Sequence, residues 1–111
     1  MELTKGKIYY IDIDDTICST NNGQYFRSKP NEQRINKINQ LYEAGNTIIF
    51  WTARGTVTQI DWLEMTRKQL ANWGVKFHDV RVGKPYYDYF ICDKATNSEV
   101  FFSGEGKNVK V

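Results

Sequence analysis

The stretch Ile8-Tyr9-Tyr10-Ile11-Asp12-Ile13-Asp14-Asp15-Thr16-Ile17 passes from apolar residues into three carboxylates and a hydroxyl. Its first half has the β-branched and aromatic content of a strand, here expected over Lys7 to Ile13. A buried strand gains no stability by ending in clustered negative charge, because like charges repel and their desolvation costs more still. A bound cation is the usual way to make such a cluster tolerable. The stretch therefore predicts a magnesium-dependent strand-end site with an aspartate nucleophile.

The rest of the chain supports one α/β domain. It has 111 residues, of which 41% are hydrophobic and 25% charged, the balance of a globular domain. A net charge of +2 is too small to argue for nucleic acid or a membrane surface. No apolar run is long enough for a membrane span, and the first seven residues lack a signal core, so a cytoplasmic protein is expected. Two cysteines, Cys18 and Cys92, are too few for a disulfide framework and are read as reduced.

Periodicity predicts the elements. Thr16 to Pro30 is a polar connection around Asn21-Asn22-Gly23, a tight-turn signal, with Gln24-Tyr25-Phe26 as the return strand of a small flap. Asn31 to Ala44 is a helix, with Ile35, Ile38, Leu41 and Tyr42 on one face and Gly45 closing it. Asn46 to Thr52 is a strand so continuously apolar that helices are expected on both of its faces. Thr58 is expected to cap a second helix, with Ile60, Leu63, Leu70 and Trp73 inward and Gly74 at its end. Phe77 to Val82 and Tyr89 to Asp93 are expected strands. Ser98 to Phe102 is a short helix or an edge strand, and the glycine-rich tail after it is expected to fray.

Alternating strands and helices predict a three-layer sandwich around a mostly parallel Rossmann-like sheet. Ligands of such sheets bind beyond the carboxyl ends of the strands. That rule gathers residues far apart in sequence. Asp12, Asp14 and Asp15 end the first strand, Thr52 the second and Asp93 the fourth, and Lys84 lies between the last two. Two carboxylates near one phosphorus suit a two-step displacement: one attacks, and the other protonates the leaving oxygen and then activates water. Thr52 can donate a hydrogen bond to a non-bridging phosphoryl oxygen, and Lys84 can neutralise charge on the same group. Mg²⁺, a six-coordinate oxygen-seeking ion, would use the acids as ligands.

The order Asp12-Ile13-Asp14-Asp15-Thr16, then Ile48-Ile49-Phe50-Trp51-Thr52, then Gly83-Lys84-Pro85, then Phe90-Ile91-Cys92-Asp93 resembles the haloacid dehalogenase (HAD) superfamily. Trp51-Thr52-Ala53-Arg54-Gly55 and the run from Gly83 to Ala95 are similar to its small, capless capsule-biosynthesis-type phosphatases. The resemblance implies a Mg²⁺-dependent phosphomonoesterase with Asp12 as nucleophile and Asp14 as general acid/base. Mg²⁺ would sit on the carboxylates of Asp12 and Asp93 and the backbone carbonyl of Asp14. Gly is common where Asp15 stands, and an acid where Cys92 stands; Asp88 is a lesser candidate ligand. There is no large cap domain, and residues 16–30 can form only a flap. Arg54 beside Thr52, and Arg27 and Lys29 on the flap, are candidate contacts for the substrate's phosphate.

The expected substrate is a small phosphate ester such as a sugar phosphate. The alternatives are a polynucleotide 3′-phosphatase, which the weak charge disfavours, and a non-catalytic module of the same fold. A signalling receiver domain is disfavoured by motif order, since no Asp ends the second strand and one follows the lysine. Association into homo-oligomers would be one way to complete an uncapped site. His78 has no evident metal or triad partner and is read as a loop residue.

Overall fold

The computed structural model describes residues 3–103, so the glycine-rich tail from Gly104 lies outside the described residues. Three strands, β1 (Ile8–Ile11), β4 (Thr47–Trp51) and β5 (Asp79–Arg81), form a parallel sheet in the order β1-β4-β5. Helix α1 (Glu32–Glu43) joins β1 to β4, and α2 (Leu63–Asn72) joins β4 to β5. A two-stranded flap, β2 (Cys18–Ser19) against β3 (Lys29–Pro30), interrupts the first connection, and α3 (Ser98–Phe102) follows the sheet. No helix among the described residues is long and apolar enough to cross a membrane.

The sheet has two layers where three were expected. Strand order advances in one direction, so right-handed crossovers carry α1 and α2 over the same face. Packing agrees: Ile35, Ile38 and Leu41 of α1 and Leu70 of α2 share one core with Ile11, Ile48, Phe50 and Val80. Phe101 and Phe102 of α3 pack against that same core. The opposite face carries Ile8 and Tyr10, 68% and 52% exposed, with Trp51 edge-on to the Tyr10 ring. The apolar run of β4 is buried because β4 is the central strand, not because helices cover both its sides.

Local rules explain the helix ends. The Asn31 side chain accepts from the Arg34 N–H at 3.1 Å and starts α1, and Gly45 takes φ 100° after it. Asn46, nearly fully buried, then ties that end to the N-terminal segment. It accepts from Lys7 N and donates to the carbonyls of Thr4 and Leu41. The second helix starts at Leu63 and not at Thr58, because Gln59 adopts φ 66° and the Asp61 carboxylate caps the Leu63 N–H at 3.0 Å. Ile60, expected inside, is 53% exposed as a result.

The flap also differs from expectation. Asn22 and Gly23 make the left-handed tight turn, at φ 51° and 70°. The residues after it coil into a single 3₁₀ turn, Tyr25–Arg27, and the returning strand is Lys29–Pro30.

Tyr89 to Asp93 forms no strand. Tyr89 and Ile91 are 86% and 95% exposed. Only Val82 to Asp88 lies between β5 and this segment. A parallel strand on the free side of β1 would need a crossover of about a dozen residues.

Candidate active site

The chain reverses directly after β1. Thr16 and Ile17 both donate their N–H to the Ile13 carbonyl, at 3.1 and 3.0 Å, while Ile13 and Ile17 are fully buried beneath the turn. This places Asp12, Asp14 and Asp15 around one bend. Asp15 takes φ 61° and accepts from the Thr20 N–H at 3.3 Å. It is a turn residue, in a conformation that Gly adopts freely and Asp tolerates, which accounts for its place in the motif.

Asp12 and Lys84 meet across the sheet's carboxyl end. The Lys84 ammonium is 3.7 Å from Asp12 Oδ2, and Asp12 Oδ1 accepts its neighbour's N–H at 2.9 Å. Burial raises the Asp12 carboxyl above its ordinary value, partly opposed by the Lys84 charge, with the Asp14 charge adding to the rise. Lys84 also lies over the Tyr87 ring at 5.5 Å.

Asp14 is held by Arg54. The guanidinium donates Nε–H to Oδ2 at 2.9 Å and Nη2–H to Oδ1 at 2.8 Å, a fork-on-carboxylate pair. Its Nη1 donates to Thr66 Oγ1 and Gln69 Oε1, and the Tyr25 ring lies 4.6 Å beneath. The Arg54 side chain is 0% exposed. It was expected to touch substrate, and this burial corrects that expectation: every part of its fork is used inside the protein. Arg54 positions Asp14.

The flap closes the other side of Asp14. Thr20 donates its hydroxyl to Asp14 Oδ1 at 2.6 Å, so the Ser28 hydroxyl, 2.6 Å away, must donate to Thr20. Gln69 donates to the Tyr25 carbonyl at 2.7 Å, and Trp62 stands edge-on to Tyr25 and tilted on Phe26. Arg27 and Lys29 on this flap are exposed, and no side-chain partner ties either to the acids.

Thr52 is fully buried. Its hydroxyl accepts from the Arg54 N–H at 3.1 Å, and its carbonyl accepts from the Lys84 N–H at 3.2 Å. Through these two accepted bonds Thr52 anchors the loops that carry Arg54 and Lys84.

Asp93 is not brought to the acids. It lies in the exposed segment, with its carboxylate against the Cys92 thiol, and Asp88 in the same segment is exposed as well. Among the described residues no group of three or more His, Cys, Asp or Glu side chains is placed to hold a metal ion. The ligand set expected for Mg²⁺ thus does not fit within one chain, because the strand meant to deliver Asp93 does not form. The two best-defined depressions, of about 580 and 460 Å³, lie at α1 beside Leu3 and beside the flap at Arg34 and Glu99. Neither is lined by Asp12, Asp14 or Lys84.

Sequence reasoning brought Asp12, Asp14, Thr52 and Lys84 to one end of the sheet, and there they are. It missed Thr20, Ser28, Thr66 and Gln69. Thr66 carried a signal: a polar residue on the Leu63–Leu70 stripe must find a partner when buried. Thr20 and Ser28 carried none.

The fold has a solved counterpart. The crystal structure of an MCSG target from Vibrio cholerae is similar, with a TM-score of 0.79 and 25% sequence identity over 87% of this chain and 88% of that one. No protein-family model matches the chain, and no curated protein matches it.

Proposed function

We propose that the chain is a phosphomonoesterase that works through an aspartyl phosphate on Asp12. The observation that carries the reading is the Asp12–Lys84 pair, brought within 3.7 Å at the carboxyl end of a parallel sheet from positions far apart in sequence. A carboxylate made basic by burial, beside a cation, suits attack on a dianionic phosphate. An Asp12 oxygen bonds to phosphorus as the ester P–O bond breaks, and the leaving oxygen takes a proton from solvent water, because the Arg54 fork and the Thr20 hydroxyl hold Asp14 as a carboxylate; the hydroxide formed is neutralised by the proton that Asp14 collects in the next step. Asp14 then accepts a proton from water as it attacks the phosphorus. The Asp12–phosphoryl bond breaks, and inorganic phosphate departs.

Lys84 balances the charge that gathers on the transferring oxygens, and Arg54 keeps the Asp14 carboxylate in place. The weak net charge favours a small phosphate ester such as a sugar phosphate over a polynucleotide. Mg²⁺ belongs to the expectation from motif resemblance, and one chain alone lacks its ligand set.

The experiment is a hydrolysis screen with p-nitrophenyl phosphate, phosphosugars, nucleotides and 3′-phosphorylated oligonucleotides, with and without Mg²⁺. Turnover of a small ester that disappears in Asp12→Asn supports the reading. Wild-type protein inert to the whole panel leaves a binding module of this fold.

A further inference from the structure

An arm of the chain stands away from the body. Lys84 is fixed by its N–H to Thr52, and α3 returns to the core through Phe101 and Phe102. Every residue from Pro85 to Asn97 is exposed. The arm is strongly apolar: Tyr86 is 74% exposed, Tyr89 86%, Phe90 46% and Ile91 95%. So many large apolar side chains left exposed within one short segment point to an interaction site.

The same molecule holds a surface of the matching kind. β1 is an outer strand of its sheet, paired with β4 on one side only. Its residues, Ile8-Tyr9-Tyr10-Ile11, include no charge or proline to block pairing. The arm has the composition of a strand, and its own β1 is closed to it as a parallel partner by the short connection from β5. A second copy has no such constraint.

We propose that two copies of this chain exchange their arms, the Tyr89–Asp93 segment of each adding as a strand to the free edge of β1 in the other. The exchange is reciprocal, so it closes on a pair and leaves neither arm bare. Two arms with their aromatic side chains cover on the order of 1,000 Å² or more, the size at which a specific interface becomes stable. A strand added parallel to β1 carries the partner's Asp93 to the end where Asp12 stands. If the phosphatase reading holds, the acid that one chain lacks is supplied by its neighbour.

Three measurements test this. In sedimentation equilibrium the wild type is expected to be a dimer or a multiple of it. Ile91→Asp, at a position fully exposed in the single chain, is expected to be a monomer with unchanged helical circular dichroism. A monomeric wild type, or an Ile91→Asp variant that stays associated, overturns the proposal. In amide hydrogen exchange, Tyr89–Asp93 is expected to be protected in the wild type and unprotected in Ile91→Asp; fast exchange of this segment in an associated wild type also overturns it.

The third measurement addresses the shared site. Asp12→Asn and Asp93→Asn are unfolded together and refolded as a mixture. Statistical pairing gives one intact site in half of the pairs, so about a quarter of wild-type activity should return from two inactive proteins. A silent mixture of an active, associated wild type rejects the shared site. A wild type without phosphatase activity rejects the functional reading and leaves the first two measurements to decide the exchange.

Discussion

Arg54 and Asp14, 40 residues apart in sequence, form a two-bonded ion pair in which the arginine side chain is wholly buried and the aspartate is 24% exposed. The aspartate therefore faces the surface while its orientation is set from inside. Removing the buried guanidinium leaves the partly exposed Asp14 without its counter-charge and takes the donor from Thr66 and Gln69. Arg54→Met is expected to cost about 3–5 kcal/mol, read from urea denaturation. Arg54→Lys keeps the charge and loses the fork, so it should fold and show a reduced kcat with little change in KM. A rise in KM alone would return Arg54 to the role of substrate contact.

Asp12 makes a second prediction because burial raises its carboxyl. A folded-state value above the unfolded one means that the protein binds more protons folded than unfolded between the two. Stability is then greatest below the ordinary carboxylate range and falls as pH rises through the folded value. Asp12→Asn should abolish turnover, flatten this part of the Tm–pH curve and leave the variant more stable than wild type at neutral pH. Equal stability at neutral pH would show that ionised Asp12 carries no cost.

Lys84 opposes that rise, so Lys84→Met should move the Asp12 carboxyl higher still. The acid limb of the kcat/KM profile should shift to higher pH, and kcat at the plateau should drop by about 100-fold. A profile unchanged in position would separate Lys84 from the ionisation of Asp12.

Trp62 fastens the flap through ring contacts of 4.9 Å to Tyr25 and 6.0 Å to Phe26. Trp62→Ala should cost about 2 kcal/mol and speed proteolytic cutting around Asn22 and Gly23. Cutting at the wild-type rate would mean that the Thr20 and Ser28 hydroxyls hold the flap alone.

Gly55 has φ 85°, and a Cβ there would stand 2.1 Å from the Ile60 carbonyl oxygen. Gly55→Ala is expected to cost about 3 kcal/mol or more, since both the conformation and the backbone contact resist it. Its effect on activity should follow Arg54, whose loop it closes.

The parallel sheet and the meeting of Asp12 with Lys84 were legible because they follow from general rules. Apolar runs mark strands, helices between them make the strands parallel, and parallel strands send their carboxyl ends to one side. The covering of the sheet was not legible from the composition of β4. It depends on strand order, which fixes the side each crossover takes. The burial of Arg54 was equally hidden, for nothing near it in sequence announces Thr66 and Gln69 as its partners. The start of α2 turned on the left-handed residue Gln59, which no capping pattern reveals.

Thr52 contributes an atom to each of the two cationic loops, its hydroxyl oxygen to Arg54 and its carbonyl oxygen to Lys84. It works as a gauge block: the backbone amides of the two cationic residues are both pinned to a single residue at the end of the central strand. Loops on this frame can therefore be lengthened or recomposed beyond those two amides while the spacing persists. Transplanting the arrangement to another parallel sheet would begin with a threonine at the end of its central strand.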